Sequence, residues 1–109
     1  MEKQKILIAD DSEMNRALLV DILENQYDIV EADNGAAAID LLTQCGGDFS
    51  LLLLDIMMPE MDGFEVLAYI NRYHLNDTLA VIMISADDSP ANIKRAYDLG
   101  AFDYISRPF

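Results

Sequence analysis

The sequence predicts an α/β domain built on a parallel sheet that is covered by helices on both faces. Two observations indicate this fold. Short, continuously apolar segments alternate along the chain with segments whose apolar residues recur at helical spacing. Residues that commonly cap helices lie at the boundaries between the two kinds of segment. Strands that are apolar on both faces and separated by single helices are typical of a parallel sheet with right-handed crossovers.

Five short apolar segments are predicted to be strands, and they lie at residues 6–9, 27–30, 51–54, 79–84 and 104–105. The four leucines at 51–54 fit a helix equally well by periodicity alone, but their short run and their flanks favour a strand. With the helical segments between them, the predicted order is β-α-β-α-β-α-β-α-β. The length of 109 residues, without repeats or linkers, indicates one domain.

The helical segments carry apolar residues three or four positions apart. In the first helix, Met14, Leu18 and Ile22 form the predicted apolar face. The corresponding residues of the third and fourth helices are Phe64, Leu67, Ala68, Ile93, Ala96 and Tyr97.

The ends of the helices carry their own signals. Ser12 and Asn34 are predicted N-caps of the first two helices, and Ser89 followed by Pro90 predicts the start of the fourth. Gly100 suits the left-handed position that follows a helix. These positions fix the helix boundaries independently of the apolar pattern.

The composition excludes several classes of function. The chain carries 7 Lys and Arg residues against 20 Asp and Glu, a net charge of −13, which argues against direct binding to nucleic acid or to an anionic membrane. An apolar content of 52% excludes a disordered acidic tail. The single cysteine, Cys45, cannot form an internal disulfide, and no signal peptide or membrane-spanning segment is visible. We therefore expect a cytoplasmic domain.

Polar residues collect after the predicted strands, where ligands bind in open α/β sheets. Asp10 and Asp11 follow the first strand, Asp55 the third, Ser85 the fourth, and Arg107 the fifth. If the first and third strands are neighbours, the three carboxylates converge and repel one another unless a cation joins them. Mg²⁺ prefers such hard oxygen ligands, and Mn²⁺ is an alternative. A hydroxyl and a guanidinium on the far side suit a phosphoryl group.

These residues also lie in motifs of a known family. The motifs are Ile-Ala-Asp-Asp-Ser at 8–12, Asp-Ile-Met-Met-Pro-Glu-Met-Asp-Gly at 55–63, Ser-Ala at 85–86 and Ser-Arg-Pro-Phe at 106–109. In sequence, order and spacing the chain resembles the receiver domain of bacterial two-component response regulators. The resemblance covers residues 1–109 as one receiver domain and implies the flavodoxin-like doubly wound sheet of five parallel strands, in the order 2-1-3-4-5.

The resemblance implies a role for each site residue. Asp55 would be the phospho-acceptor, and Mg²⁺ would be held by Asp10, Asp11, Asp55 and the backbone carbonyl of Met57. Ser85 would bond the phosphoryl group. Two further implied roles concern signalling rather than transfer: Tyr104 would be the switch aromatic that responds to Ser85, and Met57 and Asp87 would tune the lifetime of the acyl phosphate.

The chain departs from the family at Arg107, where a lysine is usual. A guanidinium keeps the positive charge but is planar and binds oxyanions through two nitrogens, so the exchange is not conservative at a tight site. The alternative to a phosphorylated receiver is therefore a pseudo-receiver, an interaction module that works without phosphorylation. The resemblance also implies a cis bond between Arg107 and Pro108.

The resemblance implies partners as well. These are a sensor histidine kinase or phosphotransfer protein, an output domain C-terminal to residue 109, and a homodimer formed through the fourth helix, the fifth strand and a fifth helix. The fifth helix is absent from this chain, and we expect that the natural chain continues past Phe109. The domain would be a signalling module rather than an enzyme, catalysing only its own phosphoryl transfer and dephosphorylation.

Two further classes of protein use related chemistry or a related fold. A haloacid-dehalogenase-like phosphatase needs a second aspartate two residues after the nucleophile, where this chain has Met57. A flavodoxin needs a phosphate-binding loop rich in hydroxyls and glycine after the first strand. Here that loop begins with Asp10 and Asp11, which repel phosphate in the absence of a metal.

Overall fold

The computed structural model describes residues 3–45, 48–75, 79–87 and 89–107, except for the side chain of Cys45. Its elements alternate along the chain as the sequence predicts. They are β1 (Lys5–Ala9), α1 (Glu13–Leu23), β2 (Asp28–Ala32), α2 (Gly35–Cys45), β3 (Phe49–Asp55), α3 (Gly63–Arg72), β4 (Ala80–Ser85), α4 (Pro90–Asp98) and β5 (Asp103–Ser106). The expected cis bond at Pro108 lies outside the described residues.

The five strands form one parallel sheet in the order β2-β1-β3-β4-β5. The predicted order is therefore confirmed. β1 lies between β2 and β3, with Ala9 opposite Ala32 on one side and Leu54 on the other. On the far side of β3, Asp55 is opposite Ile84 of β4. The carboxyl ends of β1, β3 and β4 consequently meet at one edge of the sheet.

Two apolar clusters cover the two faces of the sheet, as expected for a doubly wound fold. The larger contains Leu7, Leu52 and Leu54 from the strands, with side chains from α2, α3 and α4. The smaller contains Ile6 and Ile8 with residues of α1. In β1, β3 and β4, successive residues point to opposite faces and most of them are buried, which explains why these strands are continuously apolar.

The predicted apolar face of α1 is wrong. Met14, Leu18 and Ile22 are 79%, 46% and 57% exposed, whereas Leu19 is the buried residue of the helix. The helix packs on the sheet through Leu19 and its partly buried neighbours. The physical reason is that Leu18 and Leu19 are adjacent and both apolar, so spacing alone did not determine which face the helix buries. On α3, Ala68 is exposed, while Phe64 and Leu67 are buried as expected.

The predicted caps are confirmed. The side chains of Ser12, Asn34 and Ser89 accept hydrogen bonds from the backbone N–H groups three residues further on. Gly100 has φ 100°, which favours glycine after the end of α4. Among the described residues, no helix combines the length and apolar character that crossing a bilayer requires.

Candidate functional site

The predicted site residues meet at the carboxyl edge of the sheet. Asp10 and Asp11 follow β1, and Asp55 and Ser85 are the last residues of β3 and β4. Arg107 directly follows β5, and its backbone N–H bonds the carbonyl of Ser85 at 2.8 Å. The topology therefore brings four strand ends together, because β1, β3, β4 and β5 are successive neighbours in the sheet.

Asp10 is held rigidly but keeps one free carboxylate oxygen. Its backbone N–H donates to the carbonyl of Ala32 at 3.1 Å, and its Oδ1 accepts from the backbone N–H of Ser12 at 2.8 Å. The residue is 2% exposed, and its Oδ2 has no hydrogen-bond partner within the described parts of the chain. A buried carboxylate oxygen without a partner is costly, so Asp10 Oδ2 is a candidate ligand for a cation.

Asp55 is the most strongly perturbed acid of the cluster. It is 2% exposed, and its Oδ1 accepts hydrogen bonds from the Met57 backbone N–H, at 3.4 Å, and from Arg107 Nη2. Burial and the charge of Asp10 raise the pKa of Asp55 from 3.8 to about 7, although Arg107 and the Met57 N–H oppose this shift. Without a bound metal, Arg107 and the Met57 N–H therefore do not fully offset the cost of ionising the Asp55 carboxyl.

Arg107 is the positive charge of the site. Its Nη2 donates to Asp55 Oδ1, and its Nη1 lies 3.7 Å from Asp10 Oδ2. The side chain is 18% exposed, and its Nε has no hydrogen-bond partner among the residues that the structure covers. One guanidinium therefore faces two carboxylates from neighbouring strands.

The donor set fits a hard divalent cation. Asp10, Asp11 and Asp55 each offer a carboxylate oxygen, and these atoms lie within 4.8 Å of one another. Asp11 is exposed to solvent, while the other two are buried. Oxygen donors with an open side suit Mg²⁺, which retains several waters when bound. The buried Asp10 Oδ2, which has no hydrogen-bond partner among the described residues, is an independent observation that fits a bound cation.

Met57 lies beside the acidic cluster, two residues after Asp55. Its backbone N–H points at Asp55 Oδ1, while its side chain is 71% exposed. The Met57 side chain therefore extends to solvent at the entrance of the site. Its carbonyl as a metal ligand, and its side chain as a tuning residue, remain predictions.

Ser85 and Tyr104 are linked through the loop between β4 and α4. Ser85 is 1% exposed, and its Oγ accepts a hydrogen bond from the Asp87 N–H at 3.0 Å. The hydroxyl of Tyr104 donates to the carbonyl of the same residue, Asp87. The Tyr104 ring packs against the larger apolar cluster. The two predicted switch residues are therefore joined by one peptide segment.

The Asp87 side chain turns towards α4 in this structure. Its Oδ1 accepts from the Ser89 N–H and its Oδ2 from Asn92 Nδ2, both at 2.9 Å. These bonds fasten the loop to the first turn of α4. The predicted tuning role of Asp87 is untested, and the sequence pattern did not indicate these hydrogen bonds to Ser89 and Asn92.

Two motif residues near Asp55 have structural roles that the sequence pattern left unassigned. Asp62 is the N-cap of α3 and forms a capping box with Glu65. The Gly63 N–H bonds the Ile56 carbonyl at 2.8 Å, and a Cβ at this position would collide with the Asp55 carbonyl oxygen and lie 2.8 Å from Ile56 Cα. Gly63 is thus required because α3 begins against the backbone that carries Asp55.

Arg16 is a site residue that the sequence pattern did not reveal. Its Nη1 donates to the Asp10 carbonyl at 2.6 Å, and its Nε bonds Glu31 Oε1 at 3.1 Å. A cation near the N-terminus of a helix is electrostatically unfavourable without a partner, so its position in α1 was an available signal.

Comparison with known proteins identifies the family. The model of the response regulator receiver domain matches residues 6–109. The protein belongs to the response regulator receiver domain family. The family resemblance is therefore confirmed, and membership decides against the phosphatase and flavodoxin alternatives. Receiver domains are signalling domains of two-component systems.

Two curated relatives show the range of proteins that contain such a domain. This receiver domain is 36% identical over 110 residues to the chemotaxis protein CheY of Halobacterium salinarum, covering 100% of this chain and 88% of that protein. It is 38% identical over 103 residues to a Vibrio cholerae protein named "Probable cyclic di-GMP phosphodiesterase", covering 94% of this chain. It spans only 23% of that longer relative.

A solved structure supports the fold at similar identity. The receiver domain matches the CheX-CheY-BeF3-Mg²⁺ complex of Borrelia burgdorferi with a TM-score of 0.89 and 30% identity. The match covers 96% of this chain and 78% of the other. The flavodoxin-like fold is therefore common to this receiver domain and to CheY.

Proposed function

We propose that this receiver domain accepts a phosphoryl group on Asp55, in a Mg²⁺-dependent reaction, from a sensor histidine kinase or a phosphotransfer protein. The observation that carries this proposal is the joint burial of Asp10 and Asp55 beside one guanidinium. Ser85 is one residue beyond Ile84, the partner of Asp55 in β4. A carboxylate nucleophile, a hydroxyl donor and a cation thus lie at one edge of the sheet.

The carboxylates of Asp10, Asp11 and Asp55, with the Met57 carbonyl, would hold the metal. Mg²⁺, when bound, supplies the positive charge that keeps Asp55 ionised and offsets the charge of the phosphoryl oxygens. The Borrelia CheY complex contains Mg²⁺, which supports this assignment. Mn²⁺, with similar preferences for oxygen ligands, is an alternative ion.

In the transfer, an Asp55 carboxylate oxygen attacks the phosphorus of a phosphohistidine. The new O–P bond forms as the P–N bond breaks, which leaves an acyl phosphate on Asp55 and a free imidazole on the donor. Ser85 Oγ–H and the Arg107 guanidinium are the donors available to the phosphoryl oxygens. The chain thus contributes to phosphoryl transfer by positioning the reacting groups and by neutralising charge.

The structure also suggests how phosphorylation would reach the surface. We propose that the Ser85 side chain moves when its O–H donates to a phosphoryl oxygen, and that this movement draws along Asp87, whose N–H is bonded to Ser85 Oγ. Because the Asp87 carbonyl accepts from Tyr104, a shift of this loop changes the position of the Tyr104 ring. We therefore propose that Ser85 and Tyr104 form the switch, and that α4 and β5 form the responsive surface.

Intact mass spectrometry after incubation with acetyl phosphate and Mg²⁺ tests the proposal. We expect the gain of one phosphoryl group in the parent protein and none in the Asp55→Asn variant. A folded parent that binds Mg²⁺ but gains no mass would contradict phosphorylation at Asp55. Asp40→Asn, on an exposed part of α2, is the matched control and should gain the phosphoryl group normally.

The position of Arg107 favours one second candidate, the pseudo-receiver. Its guanidinium already bonds Asp55 and faces Asp10, so it occupies the space beside the nucleophile. If the parent is not phosphorylated but the Arg107→Lys variant is, the natural protein works as a phosphorylation-independent interaction module. Phosphorylation of the parent would exclude that candidate.

The remaining expectations about the whole protein are proposals. Relatives of greater length, such as the Vibrio cholerae protein, support an output domain C-terminal to residue 109. A homodimer through α4, β5 and a fifth helix, autodephosphorylation without other enzymatic activity, and a cytoplasmic location are further proposals. Size-exclusion chromatography with and without acetyl phosphate tests the dimer.

A further inference from the structure

Arg107 is held by its backbone at a fixed position beside the acidic cluster. Its N–H bonds the carbonyl of Ser85, at the point where Ser85 and Ser106 pair between β4 and β5. From this position the side chain crosses the ends of the strands to Asp55 and Asp10. The guanidinium is therefore part of the folded framework rather than a surface charge that samples the site occasionally.

The two contacts of the guanidinium differ in kind. Nη2 makes a hydrogen bond to Asp55, whereas Nη1 is 3.7 Å from Asp10 Oδ2, a distance that gives charge attraction without a hydrogen bond. Asp10 Oδ2 and Arg107 Nε are both buried and lack hydrogen-bond partners within the described residues. Arg107 thus offsets the charge of Asp10 without forming a hydrogen bond to its Oδ2.

Asp10 Oδ2 is also a candidate ligand for a divalent ion. The three carboxylates of Asp10, Asp11 and Asp55 outnumber the guanidinium of Arg107, so the cluster still attracts a dication. Arg107 Nη1 lies 3.7 Å from Asp10 Oδ2, so a divalent ion that approaches this oxygen from the same side would have to displace the guanidinium.

We propose that Arg107 is a tethered counter-cation that competes with Mg²⁺ for Asp10 and so sets the Mg²⁺ concentration at which the domain becomes competent for phosphorylation. This inference rests on the proposed function. The apparent affinity for the metal equals the intrinsic affinity multiplied by the fraction of molecules in which Asp10 is free of Arg107. A lysine in this position has a single point charge and does not present two nitrogens to two carboxylates at once.

Isothermal titration of the metal-free protein with Mg²⁺ measures this competition directly. We expect Arg107→Lys, which keeps the charge, to bind Mg²⁺ at least about fivefold more tightly than the parent, the lower end of usual coupling between linked sites. Arg95→Lys is the matched control, because Arg95 stacks over the Phe64 ring at 4.2 Å, away from the acidic cluster. Its Mg²⁺ affinity should equal that of the parent.

A second measurement uses the parent alone and keeps the proposal testable if Arg107→Lys fails to fold. In NMR spectra of nitrogen-labelled protein, the Arg107 guanidinium signals should shift on addition of Mg²⁺, while those of Arg95 should not. Equal Mg²⁺ affinity in parent and Arg107→Lys, or unchanged Arg107 signals at saturating Mg²⁺, would overturn the inference.

The outcomes for the two proposals are separable. Tighter Mg²⁺ binding by Arg107→Lys without phosphorylation of either protein would uphold the counter-cation and refute the acceptor role. Phosphorylation of the parent, with equal Mg²⁺ affinities in the parent and Arg107→Lys, would support the acceptor role and refute the counter-cation proposal. Absence of Mg²⁺ binding in both proteins would overturn this inference and the metal dependence of the proposed reaction.

Discussion

The hydroxyl of Tyr104 donates a hydrogen bond to the backbone carbonyl of Asp87. This bond joins β5 to the loop that leaves β4, and the N–H of the same Asp87 is bonded to Ser85 Oγ. The loop is also fastened to α4 through the Asp87 side chain. A displacement of Ser85 therefore has a short covalent and hydrogen-bonded path to the surface formed by α4 and β5.

Removing the Tyr104 hydroxyl tests that connection. We expect Tyr104→Phe to cost about 0.5–1.5 kcal/mol of unfolding free energy, the net value of one hydrogen bond, and to accelerate amide exchange at Asp87. Urea unfolding and hydrogen exchange measure these effects. Tyr97→Phe is the matched control, since the Tyr97 hydroxyl bonds Asp103 at 3.1 Å on an exposed surface. Equal exchange at Asp87 in both variants would refute the connection.

A phosphoryl mimic should alter the same region. With beryllium fluoride and Mg²⁺, we expect changed amide exchange within residues 86–106, centred on the loop after Ser85, α4 and Tyr104. The reason is that the Asp87 N–H is bonded to Ser85 Oγ, so a Ser85 side chain that moves to donate its O–H to the mimic draws the loop with it. Hydrogen-exchange mass spectrometry of parent and Asp55→Asn provides the comparison. Unchanged exchange in that segment of the parent would show that the switch lies elsewhere.

The fold and the positions of the site residues were largely predictable from the sequence. Continuous apolar strands fix the parallel sheet, and Asp10, Asp55 and Ser85 immediately follow or end strands, so strand order alone brings them together. The contacted face of α1 was not predictable, because Leu18 and Leu19 are both apolar and only packing selects Leu19.

The sequence also did not predict which side chains form ion pairs and hydrogen bonds with one another in the site. The pattern predicted Arg107 beside a phosphoryl group, but its reach to both Asp10 and Asp55 depends on the β5 backbone and on a particular rotamer. The tuning role predicted for Asp87 is untested, and the bonds of its side chain to Ser89 and Asn92 could not be predicted from the sequence. A polar side chain can form several alternative local hydrogen bonds, and its residue type does not show which of them forms.

The raised pKa of Asp55 predicts how stability depends on pH in the metal-free protein. Because the pKa rises from 3.8 to about 7, the folded state retains a proton in this interval that the unfolded state releases. The unfolding free energy therefore falls as the pH rises from about 4 to about 7. Asp55→Asn removes this titration, so we expect a flatter profile and a higher Tm above pH 7 than in the parent.

Thermal unfolding across this pH range, in the presence of a chelator, measures the effect. Each kcal/mol corresponds to about 4–8 °C in Tm for a domain of this size. Asp40→Asn, at an exposed position, is the control and should keep the slope of the parent. Saturating Mg²⁺ should raise the Tm of the parent more than that of Asp55→Asn. Parallel pH profiles for parent and Asp55→Asn would contradict the prediction.

Gly63 lies where the start of α3 leaves no space for a side chain. A Cβ in Gly63→Ala would collide with the Asp55 carbonyl oxygen and lie 2.8 Å from Ile56 Cα, both of which are backbone atoms. We expect a loss of about 1–3 kcal/mol of unfolding free energy, because the helix must move away from β3. Ala68→Ser, on the exposed side of the same helix, should change stability by less than about 0.5 kcal/mol. Similar urea midpoints for both variants would contradict this prediction.

We predict that Arg16 positions Asp10 for metal binding. This effect on Mg²⁺ affinity is opposite in sign to the effect of its positive charge. Its Nη1 bonds the Asp10 carbonyl at 2.6 Å, so it fixes the backbone that carries Asp10. Arg16→Met removes a positive charge near the cluster, which by electrostatics alone would tighten Mg²⁺ binding. We instead expect binding to weaken about tenfold, as for lost outer contacts of metal ligands.

Isothermal titration of the metal-free variants with Mg²⁺ separates the two effects through their sign. Glu31→Gln is the matched control, because it removes the ion pair with Arg16 Nε but leaves the bond from Nη1 to Asp10. Its Mg²⁺ affinity should stay within about twofold of the parent, since exposed ion pairs contribute little. Tighter Mg²⁺ binding by Arg16→Met would show that Arg16 acts only through its charge and does not position Asp10.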